Sequence, residues 1–283
     1  MEQQEYMDRV HAEILTIMDE VHRICVENKL KYYLIGGTLL GAVRHGGFIP
    51  WDDDLDITMP WDDFIKFKEI TKHHNSGYRL VYCEGYKHYP LYFMKYENRA
   101  TVFYEGMMWE PENKPGIFVD IFPLNYSSGS VSMLQMQKRV ISRLTDLLTK
   151  KVSSSQYKLS FVEKILLPVV PASLLRNIRR WTACLGKSSK AAYFANFGSQ
   201  YSIIKQHFPR EAYGEGQLIK FEDRFYYAPD DPEYVLIKIF GNNYMQIPPI
   251  EKRRTHYPKM VQFSNHEVIE FEEPQHRVTV NDQ

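Results

Sequence analysis

Apolar residues recur at helical spacing near the start of the chain. Steps of three and four residues over 2–29 predict an amphipathic helix whose apolar face holds Val10, Ile14, Ile17, Val21 and Ile24. The run KYYLI (31–35) then predicts a short buried strand. GGT (36–38) separates this strand from LLGAVRH, which predicts a second helix. The predicted order is therefore strand, tight corner and helix.

Short strands dominate the next part of the chain. LDITM (55–59) predicts a strand, and WDDFIKFKEITKHH (61–74) predicts a helix with acidic residues in its first turn, where the helix dipole favours negative charge. The aromatic and β-branched runs YRLVYCE, YPLYFMKYE and ATVFYEG are typical of strands. PGIFVDIFPL (115–124) is a further apolar strand that Asp120 alone interrupts.

The pattern becomes helical and then mixed in the second half. SVSMLQMQKRVISRLTDLLTKK predicts a long helix, QLIKFEDRFYYAP predicts short strands, and DPEYVLIKIFGNNYM predicts a later helix. The tail after residue 262 predicts an edge strand or a loose end. We therefore predict an α+β fold with a mixed β-sheet flanked by helices over 1–128, a helical, basic region over 129–205 and a C-terminal α/β segment over 206–283.

Composition narrows the class of protein. The formal net charge is zero, with 35 basic and 35 acidic residues, so no global charge indicates a nucleic-acid-binding protein. Three cysteines lie far apart, which argues against a disulfide framework or a zinc site and favours a reducing cytoplasm. The polar N-terminus does not resemble a signal peptide, and the longest apolar run (165–175) is too short to span a bilayer. These features predict a soluble, cytoplasmic protein.

One region departs from this neutral balance. Residues 138–190 carry about ten more basic than acidic residues. Two interpretations are open: a solvated helical face, or a peripheral contact with the cytoplasmic face of an anionic membrane. Trp181, beside Arg179 and Arg180 and next to an apolar stretch, favours the second interpretation.

The GGT corner carries the first candidate chemistry. Gly36 and Gly37 permit positive φ and let a ligand approach the backbone closely. Thr38 can cap the following helix, and free N–H groups at a helix start favour an anion such as phosphate. The alternative is a purely structural strand–turn–helix corner.

The acidic run WDDDLD carries the second candidate chemistry. Side chains alternate along an extended segment, so Asp52, Asp54 and Asp56 point one way and Asp53 the other. Asp54 and Asp56 can share a hard cation such as Mg²⁺, which prefers oxygen ligands. The alternative is an exposed acidic turn, which we expect for Asp53 in particular: solvated, turned away from the other three and dispensable.

Asp120 is a lone acid within an apolar strand, where a carboxylate usually needs a partner or a metal. If this strand lies beside LDITM, Asp120 completes a site of three carboxylates. Together with the Gly-Gly-Thr corner, such a site predicts metal-assisted phosphoryl or nucleotidyl transfer, in which a carboxylate accepts the proton of the attacking hydroxyl.

These motifs also carry a family resemblance. YYLIGGTLLGAVRHGGFIPWDDDLDITM (32–59) closely resembles the signature of the LicD/fukutin family of phosphotransferases. FVDIFPL (118–124) and FGNNYMQIPPIEKRRTH (240–256) are similar to two further motifs of that family. The resemblance runs from about residue 20 to residue 258, with a weakly matched middle.

The resemblance implies a nucleotidyltransferase-like fold and a Mg²⁺-dependent reaction, with Mn²⁺ as an alternative ion. The expected reaction transfers a phospho-alcohol, phosphocholine first, from a CDP-linked donor to a sugar hydroxyl of a cell-surface glycan, and it releases CMP. The glycan would be a lipopolysaccharide, teichoic acid or capsule precursor, lipid-linked in one version. CDP-glycerol and CDP-ribitol are alternative donors, and a nucleotidyltransferase that uses an NTP is the rival activity.

The resemblance also implies roles for single residues. Asp54, Asp56 and Asp120 would be the metal ligands and catalytic carboxylates, with Asp120 the favoured general base. The donor would be bound by a larger set, namely Gly36, Gly37, Thr38, Arg44, His45, Lys95, Arg254 and His256. The last two would let the C-terminal segment complete the site.

Four members of that set keep structural alternatives. Arg44 can contact phosphate or pair with an aspartate of the site. Lys95 can balance donor phosphate charge or be a strand-edge lysine that faces water. Arg254, with His256, can hold phosphate or cap a helix end.

Overall fold

A computed structural model describes residues 3–74, 77–105, 114–152, 157–186, 188, 190–253 and 258–271. Helices and strands share one large core, as the sequence pattern predicts for an α+β protein. The helices are α1 (Gln3–Glu27), α2 (Gly36–His45), α3 (Trp61–Thr71), α4 (Val131–Val152), α5 (Phe161–Val169), α6 (Ala172–Ala183), α7 (Arg210–Tyr213) and α8 (Pro232–Phe240). α4 and α6 contribute to two smaller apolar clusters.

The central sheet is mixed. Its described strands are β1 (Tyr33–Leu34), β2 (Asp56–Pro60), β3 (Tyr78–Val81), β4 (Met94–Asn98), β6 (Phe118–Ser127), β7 (Tyr193–Ala195) and β8 (His207–Pro209). The order along the main path is β1-β2-β6-β4-β3, with β7 and β8 added at the far end of β6. β2 and β6 run parallel, whereas the other pairs are antiparallel. The two strands that carry the candidate carboxylates are therefore neighbours.

α1 packs its predicted apolar face into the core. Val10, Ile14, Ile17, Val21 and Ile24 are all buried there, so the prediction from their spacing is confirmed. The helix covers the sheet near β4 and β6. Burial of such a continuous apolar face is the main contribution that an amphipathic helix makes to the core.

The C-terminal segment forms small sheets around this core. β9 (Gln217–Phe221) and β10 (Arg224–Ala228) make an antiparallel hairpin, as QLIKFEDRFYYAP predicts. β11 (Met260–Gln262) lies between β5 (Val102–Tyr104) and β12 (Val268–Glu270). The predicted edge strand of the tail is thus confirmed by β12.

The basic region is helical over most of its described length, through α4, α5 and α6. β7 nevertheless lies within residues 129–205 and pairs with β6, which ties the end of this region to the central sheet. The division into three domains stays a prediction. Cys25, Cys83 and Cys184 are free thiols. Of the described helices, none is long and apolar enough to cross a membrane.

Candidate active site

Three strands bring the candidate carboxylates and a lysine together. Asp56 on β2 lies directly opposite Asp120 on β6 in a parallel pair. The Asp120 N–H donates to the Leu55 carbonyl at 3.0 Å. On the other side of β6, Asp120 lies opposite Lys95 of β4. In-register residues on neighbouring strands share a face about 5 Å apart. The prediction that Asp120 lies alongside the LDITM strand is confirmed.

The acidic run alternates as the sequence predicts. Asp53 and Leu55 are buried, whereas Asp52, Asp54 and Asp56 are half-buried. Burial is the main cause of the raised pKa of Tyr201, and the charges of the last three carboxylates raise it further. We call these three acids, together with Asp120, the aspartate corner.

Asp53 points to α1 instead. It is 2% exposed. Burial of the Tyr6 hydroxyl is the main cause of its raised pKa, and the charge of Asp53 is the second cause. The charge of Asp53 also opposes the lowering of the His11 pKa that burial causes. The His11 ring stacks on Phe48 with centroids 3.9 Å apart, and its Nε2 lies 2.7 Å from the Asp52 carbonyl oxygen. The interpretation of Asp53 as a solvated acid is therefore wrong. Its turn away from the other three acids is confirmed, and whether it is dispensable stays a prediction.

The glycine pair forms the start of α2 beside these acids. α2 begins at Gly36, which has a φ of 57°. A Cβ on Gly37 would lie 2.7 Å from Oδ2 of Asp52, and one on Gly36 would lie 3.5 Å from Oδ2 of Asp56. Glycine thus allows the N–H groups of the first turn to lie against the aspartate corner.

Thr38 has a different role from the predicted one. The N-cap of α2 is Ile35, and no side chain caps the helix, so the prediction that Thr38 caps it is wrong. Thr38 lies inside the first turn, and its Oγ1 accepts a hydrogen bond from the Asp56 N–H at 2.8 Å. The hydroxyl therefore fixes the backbone of an aspartate rather than the start of the helix.

Lys95 lies inside the sheet. Its Nζ is 3.0 Å from Oδ1 of Asp120, and both side chains are largely buried. The ammonium also lies over the ring of Phe118, 3.0 Å from the centroid. β4 is flanked by β3 and β6. The interpretation of Lys95 as a strand-edge lysine that faces water is therefore wrong, and the residue is part of the carboxylate cluster.

Arg44 and His45 lie at the end of α2, and Arg44 contacts the C-terminal segment. Nη1 of Arg44 donates to the carbonyls of Tyr244 and Gln246 at 3.0 and 3.1 Å, rather than to an aspartate. His45 meets Trp51 edge-on, with ring centroids 6.1 Å apart. Burial lowers the pKa of both residues. Their phosphate contact stays a prediction.

Residues 29–169 match the family model of the LicD/FKTN/FKRP nucleotidyltransferase domain. The chain belongs to the LicD family of phosphotransferases. The lipopolysaccharide cholinephosphotransferase LicD of Haemophilus influenzae is 25% identical over 86% of this chain and 92% of its own length.

Two further relatives match shorter parts of this LicD-family chain. The uncharacterized protein RP689 of Rickettsia prowazekii is 33% identical over 41% of this chain and 47% of its own length. Human ribitol 5-phosphate transferase FKRP is 53% identical over 34 residues, which are 12% of this chain and 7% of that protein.

The family domain contains the aspartate corner and Lys95. It ends before Tyr201 and Arg253, two residues that the fold brings close to the site. Tyr201 comes from the loop after β7 and meets Phe240 edge-on at 5.9 Å. The guanidinium carbon of Arg253 lies 4.2 Å from the Trp51 ring centroid. Sequence reasoning missed both: Arg253 adjoins the predicted Arg254, whereas Tyr201 had no local signal. Arg254 and His256 lie outside the described residues.

The ligand atoms that the corner offers suit a hard divalent ion, because its side chains supply carboxylate oxygens only. Among the described residues, no three His, Cys, Asp or Glu groups stand in an arrangement that could hold a metal. Lys95 pairs with one of the three predicted ligands, Asp120. The Mg²⁺ assignment therefore stays a prediction for the LicD-family site.

Proposed function

We propose that the chain transfers a phospho-alcohol, phosphocholine first, from a CDP-linked donor to a sugar hydroxyl of a cell-surface glycan and releases CMP. The observation that carries this proposal is the in-register pair of Asp56 and Asp120 beside the start of α2. The relative named as a lipopolysaccharide cholinephosphotransferase supports choline and a lipopolysaccharide precursor. The relative named as a ribitol 5-phosphate transferase keeps CDP-ribitol among the donors to be tested.

In this proposal a divalent ion, Mg²⁺ or Mn²⁺, would be held by Asp54 and Asp56 with Asp120 as the third carboxylate, after these side chains turn toward it, since no three such groups of the described residues stand around one point as they are. When bound, it would neutralise charge on the donor diphosphate. The N–H groups of Gly36 and Gly37 would donate hydrogen bonds to phosphate oxygens, as N–H groups at helix starts commonly do. Arg44, His45, Arg254 and His256 would lie around the rest of the donor.

Asp120 is the proposed proton acceptor. Lys95 holds its carboxylate through the ion pair at 3.0 Å. The acceptor hydroxyl loses its proton to Asp120 while its oxygen bonds to the phosphorus that carries the alcohol. The bond from that phosphorus to the bridging oxygen breaks, and CMP leaves with the electron pair. Positioned carboxylates of this kind typically contribute about a hundred- to ten-thousandfold in rate.

The experiment compares donors and acids in one assay. Purified protein is incubated with a glycan acceptor and with CDP-choline, CDP-glycerol, CDP-ribitol or CTP, and CMP and pyrophosphate are quantified with and without Mg²⁺. We expect Mg²⁺-dependent CMP release, which Asp54→Asn and Asp56→Asn abolish. Asp62→Asn is the matched control, because Asp62 lies in the first turn of α3 and accepts from the Tyr126 hydroxyl at 3.0 Å. Pyrophosphate from CTP without CMP from any CDP-alcohol would refute the proposal.

The rival nucleotidyltransferase activity rests on one observation, the nucleotidyltransferase description of the matched domain. It would use the same carboxylates but leave a nucleotide on the acceptor. The products of the assay above separate the two activities, since the rival predicts pyrophosphate and a nucleotidylated glycan.

A further inference from the structure

The segment from α5 to α6 (residues 161–183), here called the α5–α6 segment, exposes a large amount of apolar surface. In α5 the side chains of Phe161, Val162, Ile165, Leu166 and Val169 face solvent, and Phe161 and Val169 are 79% and 77% exposed. At 3.6 residues per turn these five positions cover an arc of about 140°. In α6, Leu174, Ile178 and Trp181 form a second exposed apolar row at steps of four and three. Single exposed apolar residues are ordinary, but a continuous set marks a contact surface.

The polar anchoring of α5 explains how this helix stays in place. α5, all of which lies within the described ranges, buries Glu163 and Leu167 only. Oε1 of Glu163 accepts from Arg143 at 3.0 Å and from Lys150 at 2.9 Å, both on α4. Ser160 and Glu163 also form a reciprocal capping box at the start of α5. The helix therefore docks through a buried carboxylate while its apolar face points outward.

α6 shows part of the same inversion, although it also buries Leu175 and exposes Arg180. Arg179 is buried and donates to the carbonyls of Pro90 and Leu91 and to the Thr145 hydroxyl. Gln137 of α4 donates to the Thr182 carbonyl at 2.8 Å. A helix that folded for the core alone would bury its apolar row and expose its arginine. The arrangement instead leaves the apolar row for another contact.

The charge around this surface identifies the contact. Residues 138–190 contain two acids, Asp146 and Glu163, and both are already in ion pairs with Arg143 and Lys150. Exposed basic side chains such as Lys164 and Arg180 therefore have no acidic partner left within this range, and they lie next to the apolar rows. Apolar side chains that insert at the lipid interface, with basic side chains at the headgroups, are the features of an interfacial helix.

We infer that the α5–α6 segment docks the protein on the surface of an anionic phospholipid bilayer, with its apolar side chains at the acyl boundary. This inference is independent of the proposed reaction, because it rests on exposure and charge outside the aspartate corner. It goes further in placing the enzyme at a membrane surface.

Vesicle binding tests the inference directly. The full chain is sedimented with vesicles of phosphatidylcholine alone and with vesicles that also contain phosphatidylglycerol. We expect binding to the mixed vesicles, a blue shift of Trp181 emission that is absent from Trp181→Phe, and weaker binding at high salt. Phe161→Ser combined with Val169→Ser should lower vesicle affinity at least about tenfold. Lys164→Glu combined with Arg180→Glu should lower it at least about tenfold on mixed vesicles.

The matched control is Phe225→Ser, because Phe225 is 59% exposed on β10, away from the α5–α6 segment in sequence. Its vesicle binding should equal that of the unchanged protein, and circular dichroism should show all variants folded. Failure of the unchanged protein to bind mixed vesicles would overturn the inference. So would a lipid-free dimer in sedimentation equilibrium that the Phe161→Ser, Val169→Ser variant dissociates, since a second copy would then cover the surface.

Discussion

At the aspartate corner, the charged side chains of Lys95 and Asp120 are enclosed between neighbouring strands, whereas along the α5–α6 segment apolar side chains face solvent. Enclosing Lys95 and Asp120 costs solvation that their ion pair offsets only in part. Exposing Phe161 and Val169 forgoes burial of about 1.5–3 kcal/mol per side chain. Both places depart from the usual rule of apolar inside and polar outside.

The comparison teaches where selection for something other than stability acts. A sequence optimised only for folding would avoid both features, because each weakens the native state. At the corner the compensation is internal, through Lys95, Thr38 and the start of α2. Along the α5–α6 segment no comparable apolar cover comes from the described chain, so the compensation is expected from outside. The following predictions test that difference.

The largest expected effect is on turnover at the corner. Asp120→Asn keeps the shape of the side chain but removes the proposed proton acceptor. We expect CMP release to fall by about a hundred- to a thousandfold, as for loss of a positioned polar group in an active site. Single-turnover CMP release measures the chemical step. A variant with unchanged turnover would remove Asp120 from the catalytic set.

The second effect is on stability at the same corner. Lys95→Met leaves the Asp120 carboxylate buried without its cation, and we expect a loss of about 3 kcal/mol in the free energy of unfolding. Urea titration measures it. Lys95→Met combined with Asp120→Asn should recover most of that stability while remaining inactive. Additive losses in the double variant would show that the two side chains do not act as a pair.

The third compares buried and exposed residues of one helix. Leu167→Ala on the inner face of α5 should lower the free energy of unfolding by about 2 kcal/mol or more. Phe161→Ser on the outer face should change it by no more than about 0.5 kcal/mol. Both are measured without lipid. Equal losses would mean that Phe161 contributes to the fold in solution, and the contrast drawn above would then fail.

The fourth concerns the glycines at the start of α2. Gly37→Ala places a Cβ 2.7 Å from Oδ2 of Asp52, so the carboxylate must turn away. We expect about a tenfold loss in kcat/KM. The free energy of unfolding should change little, because the end of the Asp52 side chain can move at a small energetic cost. Gly77→Ala is the control, since nothing lies within 4 Å of a Cβ there. A loss of stability without a loss of activity would assign Gly37 to folding alone.

The smallest effect is a pH dependence in α5. The Ser160 N–H and the Lys150 ammonium lower the pKa of Glu163 from its ordinary 4.5 to about 2. Because the folded-state value is lowered, the stabilisation is present above pH 4.5 and is lost as the pH falls from there toward 2. The protection factors of the α5 amides, which correct for the pH dependence of intrinsic exchange, should therefore fall over that window. In Glu163→Gln the protection factors should already be low at neutral pH and should lack this titration.

The sequence predicted the corner well because its geometry follows from local rules. Strand periodicity separated Asp53 from Asp54 and Asp56, and a lone acid in an apolar strand identified Asp120. The same rules could not place Lys95, whose surroundings depend on β4 lying between β3 and β6. Nor could they find Tyr201, which lies on a loop and whose pKa is raised by burial and by the charges of Asp56, Asp52 and Asp54.

Two errors have a common physical cause. Thr38 was expected to cap a helix and Asp53 to be solvated, because residue type alone makes both outcomes favourable. In the structure a strand backbone captures the Thr38 hydroxyl, and α1 covers Asp53. Both outcomes depend on contacts between elements that are distant along the chain. Patterns within one element cannot supply that information.

The contacts of Arg44 have a consequence for the order of synthesis. This arginine holds carbonyls of Tyr244 and Gln246, and the first of these lies 200 positions further along the chain. A nascent chain therefore exposes all of its corner aspartates well before the segment that Arg44 secures has left the ribosome. Closing so long a loop is a late and slow event. We expect Arg44 of a chain still in translation to lack both of these carbonyl partners until Gln246 has left the ribosome.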